Sequence, residues 1–232
     1  MNPRLHMLCA WAGPAFVVTF CSGVWFIGMF VPPHDPLATA ADIAAFYQRH
    51  PIRIMVGLLL TMFAATLWIP WAAALAAQMR RMEGRFPVLA DCMMGCAITT
   101  AVFVIMPVMI WAAAAYRPER NPELLLLFND FAFLQFVGVV APAYFQITCV
   151  GIATLFDRSP QPVFPRWIGF YNIWFALLTL PGGVCFFFKV GPFAWDGVLA
   201  FWMPLTLYGV WFGIMFWQLR RAIAQHAAME AA

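Results

Sequence analysis

Long apolar runs separated by short polar stretches set the first expectation for this chain. Crossing the hydrocarbon of a bilayer takes about 20 apolar residues at ~1.5 Å rise each. On that rule the chain divides into spans near 8–31, 52–77, 88–114, 132–156, 167–188 and 196–219. Backbone polar groups find no water in lipid, so each span is predicted to be an α-helix, and the two-residue alternation of a membrane β-barrel is missing. The runs are punctuated by Pro32-Pro33, Pro118, Pro160, Pro162, Pro165 and Gly191-Pro192. The predicted fold class is an all-α polytopic transmembrane bundle of about six spans, one domain covering residues 1–232.

Two connections carry more than a turn. Between the first two spans, Thr39 followed by Asp42 approximates a capping box. Ile43, Phe46 and Tyr47 then share a helical face, which predicts a short amphipathic helix in the outer interface. The run 122–156 is too long for one upright span, so an interfacial turn through Leu124–Leu127, or strong tilt, is expected before the fourth span. Each span holds one proline: Pro14, Pro70, Pro107, Pro142, Pro181 and Pro204. Bent helices can enclose a cavity that straight ones would close, and Pro181-Gly182-Gly183 is the place where a break or hinge is predicted. Pro3-Arg4 with Gln78–Arg81, and Pro165-Arg166 with Gln218–Arg221, form a faint repeat. Shared topology, with basic ends on aromatic-rich spans, accounts for it better than duplication of a helix hairpin does.

Composition decides the solvent. Apolar residues make up 64% of the chain and charged residues 10%, with a mean hydropathy of +0.82, too much apolar surface to hide from water in 232 residues. A scattered net charge of +3 excludes nucleic acid as a partner. With the N-terminus in the cytoplasm, that side holds eight basic residues against five on the other, of 13 in all. The positive-inside rule therefore places both termini in the cytoplasm of a bacterial inner membrane. Arg4 precedes a first run longer than a signal core, so that run is expected to be an uncleaved span. Cys9, Cys21, Cys92, Cys96, Cys149 and Cys185 sit in apolar runs and read as buried thiols.

Ionisable residues in apolar runs are the best pointers to a site. Asp130, beside Asn129, interrupts such a run in the outer part of the fourth span. His50, Arg53, Trp111, Tyr116, Arg117, Lys189 and Asp196 are expected at the same level, with Lys189 or Arg53 as a partner for the carboxylate. This is either a polar pocket for the head of an amphiphile, or a proton-handling site, or an ion-pair network that fixes helix ends. Asp91 reads as a charge at a helix N-terminus, and Gln135, Gln146 and Asn172 as interhelical hydrogen-bonders. His6, His34, His50 and His226 stand apart, so histidine boxes and paired haem ligands are missing, as are HExxH, GxSxG and P-loop motifs. No metal and no cofactor is expected.

The Ala-rich segment Ala38 to His50, the basic end Gln78–Arg81 and Pro165-Arg166-Trp167-Ile168-Gly169 resemble a broad group of uncharacterised bacterial six-helix membrane proteins. The resemblance covers most of the chain. It implies a fold and brings no catalytic residues with it. The expected function is the binding of a lipid or lipophilic small molecule in an outward-facing pocket lined by Asp130, Asn129, Lys189, Arg53, Trp111 and Tyr116. Membrane lipids, a partner membrane protein or a second copy are the expected partners. The alternatives are an enzyme using Asp130 as acid or base on a lipophilic substrate, and a small transporter.

Overall fold

The structure, a computed structural model, describes residues 2–231. Its elements are α1 (Pro3–Cys21) continued by a π turn (Ser22–Ile27), α2 (Ala40–Arg49), α3 (Pro51–Glu83), α4 (Val88–Tyr116), α5 (Pro122–Gly138), α6 (Ala141–Phe156), α7 (Arg166–Thr179) continued by a 3-10 segment (Leu180–Phe187), and a π turn (Val198–Trp202) leading into α8 (Met203–Ala231). No strand occurs among the described residues. Six helical segments are long and apolar enough to cross a membrane: Pro3–Ile27, Pro51–Glu83, Val88–Tyr116, Pro122–Phe156, Arg166–Phe187 and Val198–Glu230. Each contains the span expected at its place, apart from small differences at the ends. Large apolar side chains such as Phe63, Phe145 and Trp174 are exposed around the outside, as expected of a multi-pass membrane protein whose solvent is lipid.

The helix starts follow from their first residues. Asn2 Oδ1 accepts from Arg4 N at 3.1 Å, ahead of Pro3. Thr39 and Asp42 close the expected capping box of α2, with Ile43 and Tyr47 turned inward. The Glu83 carboxylate accepts from Leu89 N and Ala90 N at 2.7 and 2.8 Å, supplying α4 with the cap that Pro87 cannot. Asp91, expected at that N-terminus, pairs with Arg80 at 2.8 Å.

The fourth span corrects one expectation. Leu124–Leu127 form no turn; they are helical, and the break falls at Val139–Val140, between α5 and α6. Pro142, with no N–H to donate and a ring that disfavours α geometry just before it, sits in the first turn of α6. Val140 N bonds Gly138 O at 2.9 Å instead of continuing the ladder. The break expected at Pro181 is present, where α7 tightens into the 3-10 segment. Gly182 there packs against the Val137 carbonyl and Gly138 against the Phe186 ring, with no room for a Cβ at either. Pro14, Pro70 and Pro107 lie inside continuous helices.

The spans form a closed ring. α3 lies between α1 and α4, α4 packs on α6, α6 on α7, and α8 returns to α1. At one end, here the terminal end, Arg81 donates to Gln78 and to the Ala222 carbonyl. Arg221, its counterpart in the faint repeat, instead lies over the Trp217 ring. The other end carries α2. Between them the amide side chains anticipated from the sequence join spans: Trp68 Nε1 donates to Gln146 Oε1 at 3.0 Å and Trp211 Nε1 to Asn172 Oδ1 at 2.9 Å. Gln135 is the third, and its amide reaches the Met106 sulfur at 3.5 Å.

Candidate functional site

At the centre of the ring is a cavity of about 200 Å³ to which all six spans contribute. Phe16, Phe20, Trp68, Phe136, Tyr208 and Phe212 are among its aromatic lining residues. It lies where helices are irregular: Cys21 at the onset of the first π turn, Val139 and Val140 at the α5–α6 break, Gly182 in the 3-10 segment and Ala200 in the second π turn all line it. Irregular backbone at this depth is tolerated only where protein covers it or a cavity meets it.

Aromatic layers stand above and below. Toward the terminal end, Phe16, Trp68 and Phe212 meet edge-on or tilted at 5.0–5.2 Å, backed by Trp71 and Trp211. Toward the α2 end, Phe136 contacts Trp111 at 5.5 Å, and Trp111 packs on Phe30 and Phe133 at 4.5 and 4.9 Å. Trp111, Phe30 and Phe133 are all buried. The side wall is thinner. Gly209 of α8 lines the cavity and is exposed, and nothing lies within 4 Å of the place its Cβ would take.

The polar groups on the wall are few. Thr100 and Thr179 donate to carbonyls of their own helices. Tyr208 has no hydrogen bond among the described residues, so its hydroxyl is the wall's one uncommitted group of this kind. The arrangement can hold an uncharged apolar molecule with at most one or two hydrogen bonds. No carboxylate, imidazole, ammonium or guanidinium group lines the wall.

The six residues singled out from the sequence lie toward the α2 end, and the structure does not gather them around one space. Arg53 donates through Nε to the Ile27 carbonyl at 3.1 Å and through Nη2 to that of Phe26 at 2.7 Å, closing the first π turn. Tyr116 and Lys189 are exposed. Lys189 attracts the half-buried Asp130 through space without a close ion pair. Trp111 and Asn129 are fully buried. His50 is exposed at the α2–α3 corner, and Asp196 lies near Asp35. Burial raises the Asp196 carboxyl above its ordinary range, its own backbone N–H lowers it, and Asp35 raises it further.

His34 joins Asn129, a residue 95 positions away. Its Nδ1 donates to Asn129 Oδ1 at 2.7 Å, and Trp195 Nε1 donates to the His34 carbonyl at 2.8 Å. The imidazole is ringed by Phe46 at 4.3 Å, Phe133 at 5.3 Å and Phe30 at 5.7 Å. Burial lowers its pKa, against the opposing pull of the Asn129 bond, so the ring is neutral at pH 7. A lone histidine beside a Pro-Pro pair gave no sign of this. The polar pair Asn129-Asp130 inside an apolar run was the available signal for half of it.

Among the described residues, no group of three His, Cys, Asp or Glu side chains is placed to hold a metal. Compared with protein-family models, with curated proteins and with solved structures, the chain matches none. What can be said of its class is that it is a six-span helical membrane protein with a central cavity.

Proposed function

We propose that the protein binds a lipophilic small molecule in this central cavity and takes it from the surrounding bilayer. The observation that carries the reading is a cavity walled by apolar side chains from all six spans, closed by aromatic layers at both ends and thin-walled beside Gly209. Gly209 lies roughly 15 Å along its span from Val198, about the middle of a ~30 Å hydrocarbon layer. An apolar cavity of about 150 Å³ is enough for a benzene ring, so 200 Å³ admits a ring or a short length of chain. The remainder of a longer ligand would lie outside, among lipids. The wall carries no charge to recognise a phosphate, so the enclosed part is neutral hydrocarbon with one hydroxyl-sized anchor at Tyr208. The closed aromatic layers favour binding over transport, and an accessory role beside a partner protein or a second copy fits a chain with no carboxylate or basic side chain on that wall.

In the same reading the protein sits in a bacterial inner membrane, with both termini and Arg80, Arg81, Arg220 and Arg221 in the cytoplasm. The amphipathic α2 then lies in the outer interface. The similarity to six-helix bacterial membrane proteins belongs to this proposal too. Native mass spectrometry of the detergent-extracted protein tests it. Wild-type protein is expected to retain a bound species that Gly209→Trp loses at least tenfold; equal retention by both would overturn it.

A further inference from the structure

The thin wall beside Gly209 continues outward as a groove along α8. Three aromatic pairs hold α1 against α8: Trp25 with Trp202 at 6.3 Å, Phe16 with Phe212 at 5.1 Å and Trp11 with Phe216 at 4.7 Å. Gly209 falls between the first two pairs. Gly213 follows one turn on, and both glycines are exposed with nothing within 4 Å of their Cβ positions. Residues spaced by three or four share a helix face, so Gly209, Gly213, Phe216 and Arg220 form one lane. It starts at the cavity wall and ends at Arg220, whose guanidinium carbon stands 5.6 Å from the Phe216 ring centroid. The exposed Trp217 borders the lane on its other side.

Length and charge specify what fits there. From Gly209 to Arg220 the helix rises about 16 Å, half of a ~30 Å hydrocarbon layer and so the depth of one leaflet. A chain whose head stays at the level of Arg220 therefore ends at Gly209, where the cavity receives its tip. The lane is one helix face wide, and a cavity of about 200 Å³ takes one chain end. The head meets a basic surface. Eight arginines and four carboxylates lie at the terminal end, against five bases and six carboxylates at the α2 end. At the terminal end Glu83 caps α4, Asp91 pairs with Arg80, and Asp157 accepts from Ser159 and Val163. Among the described residues no carboxylate pairs with Arg4, Arg220 or Arg221. A second copy of the chain suits this face less well: packing about a two-fold axis would set Arg220 against Arg220, like charge on like.

We propose that the ligand of the central cavity is a single-chain amphiphile with an anionic head of the phosphate kind, seated from the leaflet at the terminal end. The head lies on Arg220, which binds such oxygens in a planar fork. The chain runs along Gly213 and its tip turns in at Gly209. This rests on the reading of the cavity as a lipophile site, and adds the head that the uncharged wall cannot hold.

Two photoprobes with the same chain test this: hexadecyl phosphate and hexadecanol, each with a diazirine near the chain end. The full chain is held in phosphatidylcholine nanodiscs at pH 7.5, and labelled peptides are read by mass spectrometry. The phosphate is expected to label the peptides carrying Phe136 and Phe212, which line the cavity, at least fivefold more than the alcohol does. Arg220→Gln should cut the phosphate's labelling about fivefold, the worth of one arginine at an anionic group, and leave the alcohol's unchanged; a misfolded variant would lower both. Arg85→Gln removes another exposed arginine on an aromatic ring at the same end, away from the lane, and should change neither. Equal labelling of the cavity by both probes overturns the proposal while the lipophile reading stands. No cavity labelling by either probe also overturns it, and equal retention of the native species by Gly209→Trp then removes the lipophile reading too. Gly213→Cys that oxidises to a disulfide-linked pair of chains, where the wild type does not, overturns it in favour of a second copy on this face.

Discussion

Gly57→Ala measures how tightly the first π turn is held against the second span. A Cβ at Gly57 would stand 2.6 Å from both Gly23 O and Gly28 Cα, where ordinary contact begins at 3.4 Å. Gly28 N stands closer still, so the helices would have to part by about 1 Å, and no flexible side chain can yield, because the obstructing atoms are backbone. Overpacking of this kind costs about 1–3 kcal/mol. Parting also strains the two Arg53 bonds to Phe26 and Ile27. Gly95 is the internal control: it is helical, with nothing within 4 Å of its Cβ position, so alanine there gains up to ~1 kcal/mol of helix propensity. The two variants should differ by about 1–4 kcal/mol, or roughly 3–15 °C in Tm for a chain of this length. Thermal unfolding in detergent, followed by tryptophan fluorescence, reads that difference. If both variants melt within about 1 °C of each other, the close approach of Gly23, Gly28 and Gly57 is not what holds the first span.

Three further outcomes follow from the polar contacts. Trp68→Phe leaves the whole buried Gln146 amide unpaired and is expected to cost about 1–2 kcal/mol. Trp68→Phe combined with Gln146→Leu should recover much of that in SDS-induced unfolding, and a purely additive pair would contradict the contact. Arg53→Gln should cost about 0.5–1 kcal/mol, discounted for its exposure, and speed hydrogen exchange at residues 24–30; unchanged exchange there would show that the π turn stands without it. For His34, burial lowers the pKa in the folded state, so the unfolded chain takes up the proton first as pH falls. Stability should be level above about pH 6.5 and decline below it. His34→Gln should remove part of that decline, and an unchanged slope would refute the assignment.

The spans could be read from the sequence because each apolar run exceeds what a soluble core helix needs, and lipid enforces helix whatever the local propensity. The capping residues of α2 were equally legible, since Thr39 and Asp42 are local partners. Pro181 announced its break because two glycines follow it. Pro142 was visible as well, but the long run before it suggested a turn at the membrane surface. The prolyl ring and missing N–H instead put the break two to three residues ahead of it. The cavity could not be foreseen, since its wall takes one or two turns from each of six spans and depends on how the ring closes. Arg53 shows the same limit. Its charge marked it as a candidate, but its partners are two carbonyls 26 and 27 residues earlier. His34 and Asn129 meet only because the 28–39 loop folds back against α5.

The claim that the central cavity holds a lipophilic ligand is tested most directly by photocrosslinking in living cells. A benzoylphenylalanine placed at Phe136, which lines the cavity, is compared with one at the outward Phe187, which is 81% exposed. Phe136 is expected to yield one dominant adduct, with a mass distinct from the bulk lipids captured at Phe187, and Gly209→Trp should abolish it. No adduct at Phe136, or the same mixture of lipids at both positions, would contradict a specific ligand in the cavity.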